Sequence, residues 1–528
     1  MPRHFNLART AIALLAVIIA SIAGRAAGAI VMSHLFTDHC VLQRNAETPV
    51  WGWAAPGKRI RVRFAGQRVS ATADRHGKWV VRLAPLHTDA IGRRMVISGD
   101  GKKVIRDILV GDVWLCSGQS NMQFPLDGHW ARALHARKEV AAASYPMIRL
   151  LKVPRTNTPG PQRDIKASWM VCSPATAKDF SAVAYFFGRD LFQRLHVPMG
   201  LIDSSYGGTV IQSWTPMSAL RRTPALRGDV EWFKVAARRY KLQLVHYRNV
   251  IKAWEAAARR ARANGQSAPA RPGIHRPQNP FTLSRPSPDM APVSIYNSMI
   301  HPLIPFAMRG IVWCQGENNA WVNDLLYGIR LKAMIKGWRR NWAAPQLPFL
   351  IVQIAPYFHY PQPAIGVPVV WQGEEQAVKT LPDVGMVGTM DIGDLHNIHF
   401  RNKQAVGRRL AALARAMVYQ HAPLRTLGPM YSSMRVEANK IVIHFSDASA
   451  GLASRNGKPL DWFEIAGEDR KFVPAEARIQ GGQVVVWATA VRHPMAVRFG
   501  WSCMAQPNLM DKTGLPVLPF RTDNWPLK

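Results

Sequence analysis

Apolar and polar positions follow different rhythms in successive parts of the chain. From Ile30 to about Asp107 they alternate, as in Arg59-Ile-Arg-Val-Arg-Phe and Lys78-Trp-Val-Val-Arg-Leu. Alternation with period two marks half-buried strands. Pro56-Gly57, Ala65-Gly66, His76-Gly77 and Asp100-Gly101 punctuate them as turns, so a small antiparallel β-domain is expected over 30–107. At Ile108 the rhythm changes. Ile108–Cys116 is a nearly continuous apolar run, as in a strand buried on both faces, and similar runs recur at Met199–Ile202, Ile311–Cys314, Phe349–Ile354 and Val384–Met390. Helical periodicity separates them at Ala182–Leu195, Leu325–Asn341 and Lys403–Ala416. Strands alternating with helices predict an α/β fold with a parallel sheet, over 108–422. In such sheets ligands bind beyond the carboxyl ends of the strands.

One segment interrupts that pattern. Asp229 to Asn264 is rich in Ala, Arg and Lys and reads as a solvated helix, and a Pro-rich stretch follows it. Together they read as an insertion at about 221–292. From Pro423 to the end, strand-like runs return (Lys440-Ile-Val-Ile-His-Phe, Gln483-Val-Val-Val-Trp-Ala), predicting a second β-domain over 423–528.

The first 29 residues stand apart. Arg3 and Arg9 precede an apolar run, Ala11–Ala23, and Ala27-Gly28-Ala29 offers small residues for cleavage. That is the pattern of a secretory signal, too short to be a spanning helix, and it predicts an exported, periplasmic or extracellular protein with no transmembrane span after cleavage. Five widely spaced cysteines without a CxxC pair argue against zinc and redox motifs. Cys116 and Cys314 lie in apolar strands, where an inert buried thiol is expected. The net charge of +35 raises the prospect of a polyanion partner. However, the basic residues are scattered and no nucleic-acid-binding signature accompanies them. A solvated basic surface, with no nucleic-acid partner, is the simpler reading. Oligomeric state is not encoded in any of these features.

The strand ends carry the chemistry. After Cys116 comes Ser117-Gly-Gln-Ser-Asn-Met122, after Ile202 comes Asp203-Ser-Ser-Tyr-Gly-Gly-Thr209, after Cys314 comes Gln315-Gly-Glu-Asn-Asn319, and after Met390 comes Asp391-Ile-Gly-Asp-Leu-His-Asn-Ile-His399. Ester hydrolysis needs a nucleophile, a base and donors for the oxyanion. Ser120 in a glycine-containing turn and His399 before the last helix are the candidates for the first two. Gly207-Gly208 lets backbone amides approach a substrate, and the side-chain amides of Gln315, Asn318 and Asn319 donate without adding charge.

Asp112-Val-Trp-Leu-Cys-Ser-Gly-Gln-Ser-Asn-Met122 closely resembles the nucleophile block of the sialate O-acetylesterase family within the SGNH hydrolases. Ser204–Thr209, Trp313–Ala320, Ile398–Leu410 and Gly514–Asp523 are similar to its later blocks, in the same order. The resemblance implies a flavodoxin-like three-layer α/β/α catalytic domain flanked by β-sandwich-like domains, hydrolysing O-acetyl esters of carbohydrates without a metal or organic cofactor. It implies Ser120 as nucleophile and His399 as base. The oxyanion hole would be formed by the Ser120 and Gly208 amides and the Gln315 side chain. Gln119, Asn121, Glu317 and Asn318 would contact substrate. Many SGNH enzymes carry an aspartate three residues before the histidine; here that position is His396. Asp394 is then the first choice for the third triad member, Asp391 the second, and a Ser–His dyad is a third option. Sialate is the substrate implied, with acetylated xylan or another plant polysaccharide as the alternative. A catalytically inactive carbohydrate-binding protein is the rival of another class.

Overall fold

The computed structural model describes residues 30–277, 279–280, 291–361, 365–420, 422 and 426–527. The expected signal segment therefore lies outside the described residues.

The central, mostly parallel sheet is built from β1 (Lys102–Gly118), β2 (Tyr145–Lys152), β3 (Met170–Cys172), β4 (Met199–Ser205), β5 (Gly310–Cys314), β6 (Phe349–Val352), β7 (Val384–Val387) and β8 (Thr426–Leu427). Its spatial order is β3-β2-β4-β1-β5-β6-β7-β8. All neighbours are parallel except β3, which runs antiparallel to β2. The chain places β2 and β4 on one side of β1, then crosses to place β5, β6 and β7 on the other. The point where the winding reverses is the end of β1, where a crevice opens in such sheets.

Apolar runs explain the strands: β4, β5, β6 and β7 are buried at every position. Helices cover both faces. The ones that carry the site or its support are α1 (Ser120–Gln123), α2 (Ala182–Leu195), α3 (Arg227–Ala263), α4 (Glu317–Trp321), α5 (Tyr327–Asn341), α6 (Gly366–Thr380) and α7 (Lys403–Ala414). On one face α2 lies against α7, so closely that a Cβ on Gly407 would stand 2.4 Å from the Phe186 Cβ. On the other, α5 meets α6 at Gly328 and Gly373. Two apolar cores result, one around Trp114, Phe187 and Leu410 and the other around Trp313, Trp338 and Trp371.

Part of the N-terminal region continues this sheet, while Val31–Met32, Thr48–Trp53 and Lys78–Leu83 form a separate three-stranded sheet. The first half of β1 pairs with Asp89–Ser98 and Val41–Gln43, and its second half with β4 and β5. The change of rhythm at residue 108 thus falls inside one continuous strand. Asp112 is buried at that joint and accepts hydrogen bonds from Gln43, Arg44, Arg309 and Tyr419. The C-terminal strands form two four-stranded sheets and a two-stranded ribbon around their own core, which includes Ile443, Val484 and Phe499.

Two elements were not expected from the sequence. β2 carries a buried Arg149, paired with Asp107 at 2.6 Å, which breaks its apolar run. α6 opens Gly-Val-Pro-Val-Val-Trp, which is buried throughout, and exposes polar residues only in its second half, at Gln376, Lys379 and Thr380. Among the described residues no helix is long and apolar enough to cross a membrane. Cys40, Cys116, Cys172 and Cys314 are buried free thiols.

Candidate functional site

Four strand ends meet at the reversal point. The backbone leaves β1 through Gly118, whose φ of 138° is in the region that favours glycine. A Cβ there would stand 2.0 Å from the Cys314 carbonyl oxygen. The Gln119 amide donates to that same carbonyl at 2.9 Å. This tight turn starts α1 at Ser120 and leaves the serine half-buried at the rim. Gly207 packs directly against it, since a Cβ on Gly207 would lie 3.1 Å from the Ser120 Cβ. The Gly207 amide is taken by the Gln123 side chain at 2.6 Å. Gly208 follows with a φ of 71°.

A cavity of about 470 Å³ lies above this turn, and both Ser120 and His399 line it. Gly208, Gln119, Glu317 and Asn318 line it as well. Its walls include Trp130 and Trp321, which expose 39% and 42% of their surface, unlike the fully buried Trp214 and Trp313. The Trp130 ring meets the His399 imidazole edge-on, with centroids 5.4 Å apart. Burial, reinforced by the nearby Lys403 charge, pushes the His399 pKa down to about 4. The imidazole is therefore neutral, as a proton acceptor must be. A second cavity of about 350 Å³ shares Trp130 and His399 and carries Arg132 and Arg401.

The histidine loop is coiled by two side-chain turns. Asp394 accepts from the His396 amide at 2.9 Å, and Asn397 from the His399 amide at 2.9 Å. From behind, the C-terminal region holds the loop directly, as Gln506 donates to the Gly393 carbonyl at 3.3 Å, and through the segment after β6, whose Phe358 amide donates to the Leu395 carbonyl at 2.9 Å and whose Tyr357 amide donates to the Cys503 carbonyl at 2.7 Å.

Three expected roles meet a different geometry. The Asp394 carboxylate serves its own turn and makes no hydrogen bond to the imidazole among the described residues, and Asp391 is held bidentately by Arg409. Gln315 is completely buried, with its amide nitrogen donating to the Thr209 carbonyl at 3.0 Å and to Asn319 at 2.7 Å. Those donors are spent inside the protein. The amide that faces the cavity is Asn318, anchored by one bond to the Gly208 carbonyl at 2.8 Å and so left with a second N–H. Asn121 is buried behind the serine, bonded to Glu317 and to the Ile398 carbonyl rather than to the cavity. Gln119 lines the cavity, while its side-chain oxygen accepts from the Gly316 and Asn318 amides, both at 3.4 Å. Trp130, Trp321 and Lys403 were missed in the sequence. Trp321 sits four positions after Glu317 at the end of the third block, which is the one signal that could have drawn attention to it.

Comparison with known proteins bears on this arrangement. Residues 290–417 match the family described as carbohydrate esterase, sialic acid-specific acetylesterase. Sialate O-acetylesterase of Rattus norvegicus is 26% identical over 506 residues, covering 88% of each chain. The Homo sapiens enzyme is 24% identical over 532 residues, covering 92% of this chain and 91% of its own. The crystal structure of a carbohydrate acetylesterase from Xanthomonas citri superposes with a TM-score of 0.77 at 33% identity, covering 94% of this chain and all of that one. The protein is thus a carbohydrate esterase, a carboxylic ester hydrolase. Within that class the chain belongs to the sialate O-acetylesterase family.

Proposed function

We propose that this protein is an exported serine esterase of the SGNH type that removes O-acetyl groups from a sugar, with sialic acid as the preferred substrate. Ser120 attacks the acetyl carbonyl and His399 accepts its proton. The tetrahedral oxyanion is held by the Ser120 and Gly208 amides and the spare N–H of Asn318. Collapse expels the sugar alcohol, which takes the proton from His399 and leaves acetyl-Ser120. Water then repeats the sequence and releases acetate. With Asp394 and Asp391 engaged elsewhere, Ser120 and His399 act as a dyad, the imidazole being braced by Trp130 and its loop by Asn397.

The observation that carries this reading is the single cavity lined by Ser120, His399, Gly208 and Asn318. A sugar ring would lie between Trp130 and Trp321. The adjoining cavity with Arg132 and Arg401 favours an anionic sugar. The same pair of tryptophans would serve a neutral acetylated plant polysaccharide, which is the second reading. Acetate release from 9-O-acetyl sialic acid, acetylated xylan and acetylated pectin distinguishes them. Release from the sialate, abolished in Ser120→Ala, is expected. Release from xylan alone would overturn the sialate assignment. Release from none, together with no labelling of Ser120 by an organophosphate, would overturn the mechanism. Export rests on the pattern of residues 1–29, and N-terminal sequencing of the mature protein tests it.

A further inference from the structure

Lys403, the first residue of α7, is fully buried. Its ammonium donates to the Asn121 side-chain oxygen at 2.6 Å and lies 3.7 Å from the centre of the Phe400 ring and 4.7 Å from that of Phe124. Among the described residues no carboxylate stands within ion-pair distance of it. A charge in such surroundings is costly, and a methionine would fill the same space without that cost. Packing alone therefore gives no reason for a lysine here.

The reason lies in what Asn121 does. Its amide nitrogen donates to Glu317 at 2.5 Å and to the Ile398 carbonyl at 3.0 Å. Asn121 directly follows Ser120, and Ile398 directly precedes His399. One side chain thus ties the nucleophile turn to the histidine loop. The direction of that amide is fixed by chemistry: a carboxylate and a carbonyl only accept, and an ammonium only donates. Without the ammonium, the Asn121 oxygen loses its donor and the amide keeps only the bonds of its nitrogen.

We propose that Lys403 is a positioning residue for ester hydrolysis, acting through Asn121 to lock the Ser120 turn to the His399 loop and placing a cation beside the imidazole. This rests on the reading of Ser120 and His399 as nucleophile and base. The charged and titratable groups facing Lys403 are Glu317 on α4, Cys314 at the end of β5 and His399 itself, with buried Glu374 on α6 beyond Glu317. Burial pushes the Lys403 pKa down to about 7, opposed by Cys314 and Glu317. Its charge is therefore present through the acid range, where it disfavours a proton on His399.

The test measures kcat and KM for an aryl acetate across the acid and neutral range, in wild type, Lys403→Met, Asn121→Ala and the double variant. Misplacing a reacting group by about 1 Å costs up to roughly 10²-fold in rate. Each single variant is expected to lose about tenfold or more in kcat with little change in KM. The double variant should be no worse than the worse single, because both remove one tie. Lys403→Met should also move the acid limb of kcat/KM upward, whereas Asn121→Ala, which keeps the cation, should leave the limb in place. Wild-type kcat in folded Lys403→Met, fully additive losses, or an unmoved acid limb would overturn the inference. If Lys403→Met does not fold, wild-type kcat in Asn121→Ala overturns it equally. Undiminished turnover by Ser120→Ala or His399→Ala would instead sink the assignment of nucleophile and base on which it stands.

Discussion

The neutral state of His399 has a measurable consequence. An exposed histidine titrates near 6.5, whereas burial and Lys403 bring this one to about 4. Its proton-accepting form therefore survives well into acid. For an aryl acetate, kcat/KM is expected to stay level from neutral pH downward and to fall only as pH drops through about 4; a limb near 6.5 would contradict the burial described here. Linkage carries the same sign. The unfolded chain takes up this proton at higher pH than the folded one, so His399 contributes a loss of stability as pH falls from about 6.5 to about 4. The amides separate by role as well. Asn318→Ala should lower kcat by about 10²-fold, the usual effect of removing one oxyanion donor, with an unchanged denaturation midpoint. Gln315→Ala should mainly lower the midpoint, since its bonds are internal. That Ser120 and His399 line one cavity was legible in the sequence, because each sits in a distinctive block after an apolar strand. Which of Gln315 and Asn318 faces the cavity was not legible, because it depends on the turn at Gly316, which leaves Gln315 buried against Thr209 and Asn319 and brings Asn318 to the rim. Lys403 was illegible for a different reason: a lysine beginning an amphipathic helix reads as solvated, and only the aromatic rings of Phe124 and Phe400, one of them distant in sequence, enclose it.

At the scale of elements, the β1–α1 turn governs the site. Gly118 has both a left-handed φ and the Cys314 carbonyl against its missing Cβ, so no other residue fits without moving β5. Gly118→Ala is expected to lower kcat by about tenfold or more and to reduce stability together, because the side chain displaces the turn that carries Ser120; steady-state kinetics and a denaturation curve on the same preparation check it. An unchanged kcat would mean that the turn is not the aiming device. Most elements around this turn were legible as rhythm. α2 was expected at Ala182–Leu195 and stands there. β5 was expected at Ile311–Cys314 and gains only Gly310. β2 and α6 were hidden by tertiary context. The Arg149 in β2 looks like surface until Asp107 is seen opposite it, and the opening Gly-Val-Pro-Val-Val-Trp of α6 offers no polar position because it is wholly buried, the exposed polar residues standing only in the later turns.

Across the whole molecule, Asp112 fastens three distant parts of the chain. Its carboxylate is completely buried, yet hydrogen bonds from Arg44 and the Arg309 and Arg44 charges hold its pKa below the usual range against that burial. Asp112→Asn would leave two guanidinium groups short of a counter-charge. Breaking a buried ion pair on one side typically costs about 3–5 kcal/mol, so the urea midpoint should fall markedly. Turnover per folded molecule should change little, because six further residues of β1 separate Asp112 from the Ser120 turn. The succession of β, α/β and β regions was legible from the rhythm of apolar positions. The joint between the first two was not, because alternation gives way to continuous burial within a single strand, whose backbone marks the change only by a positive φ of 53° at Asp107 and a shift of register against Asp89–Ser98.

That joint bears on how this protein can be handled and how it could have evolved. Seventeen residues of uninterrupted strand run from the N-terminal sheet to the nucleophile turn. An expression fragment trimmed at residue 108 would discard the leading part of the central strand together with Val41–Gln43 and Asp89–Ser98, and bare the stretch of β1 that they pair with. The N-terminal region therefore works as a splint for the Ser120 turn, and shuffling it for an unrelated module should yield aggregated protein rather than an esterase with a new appendage.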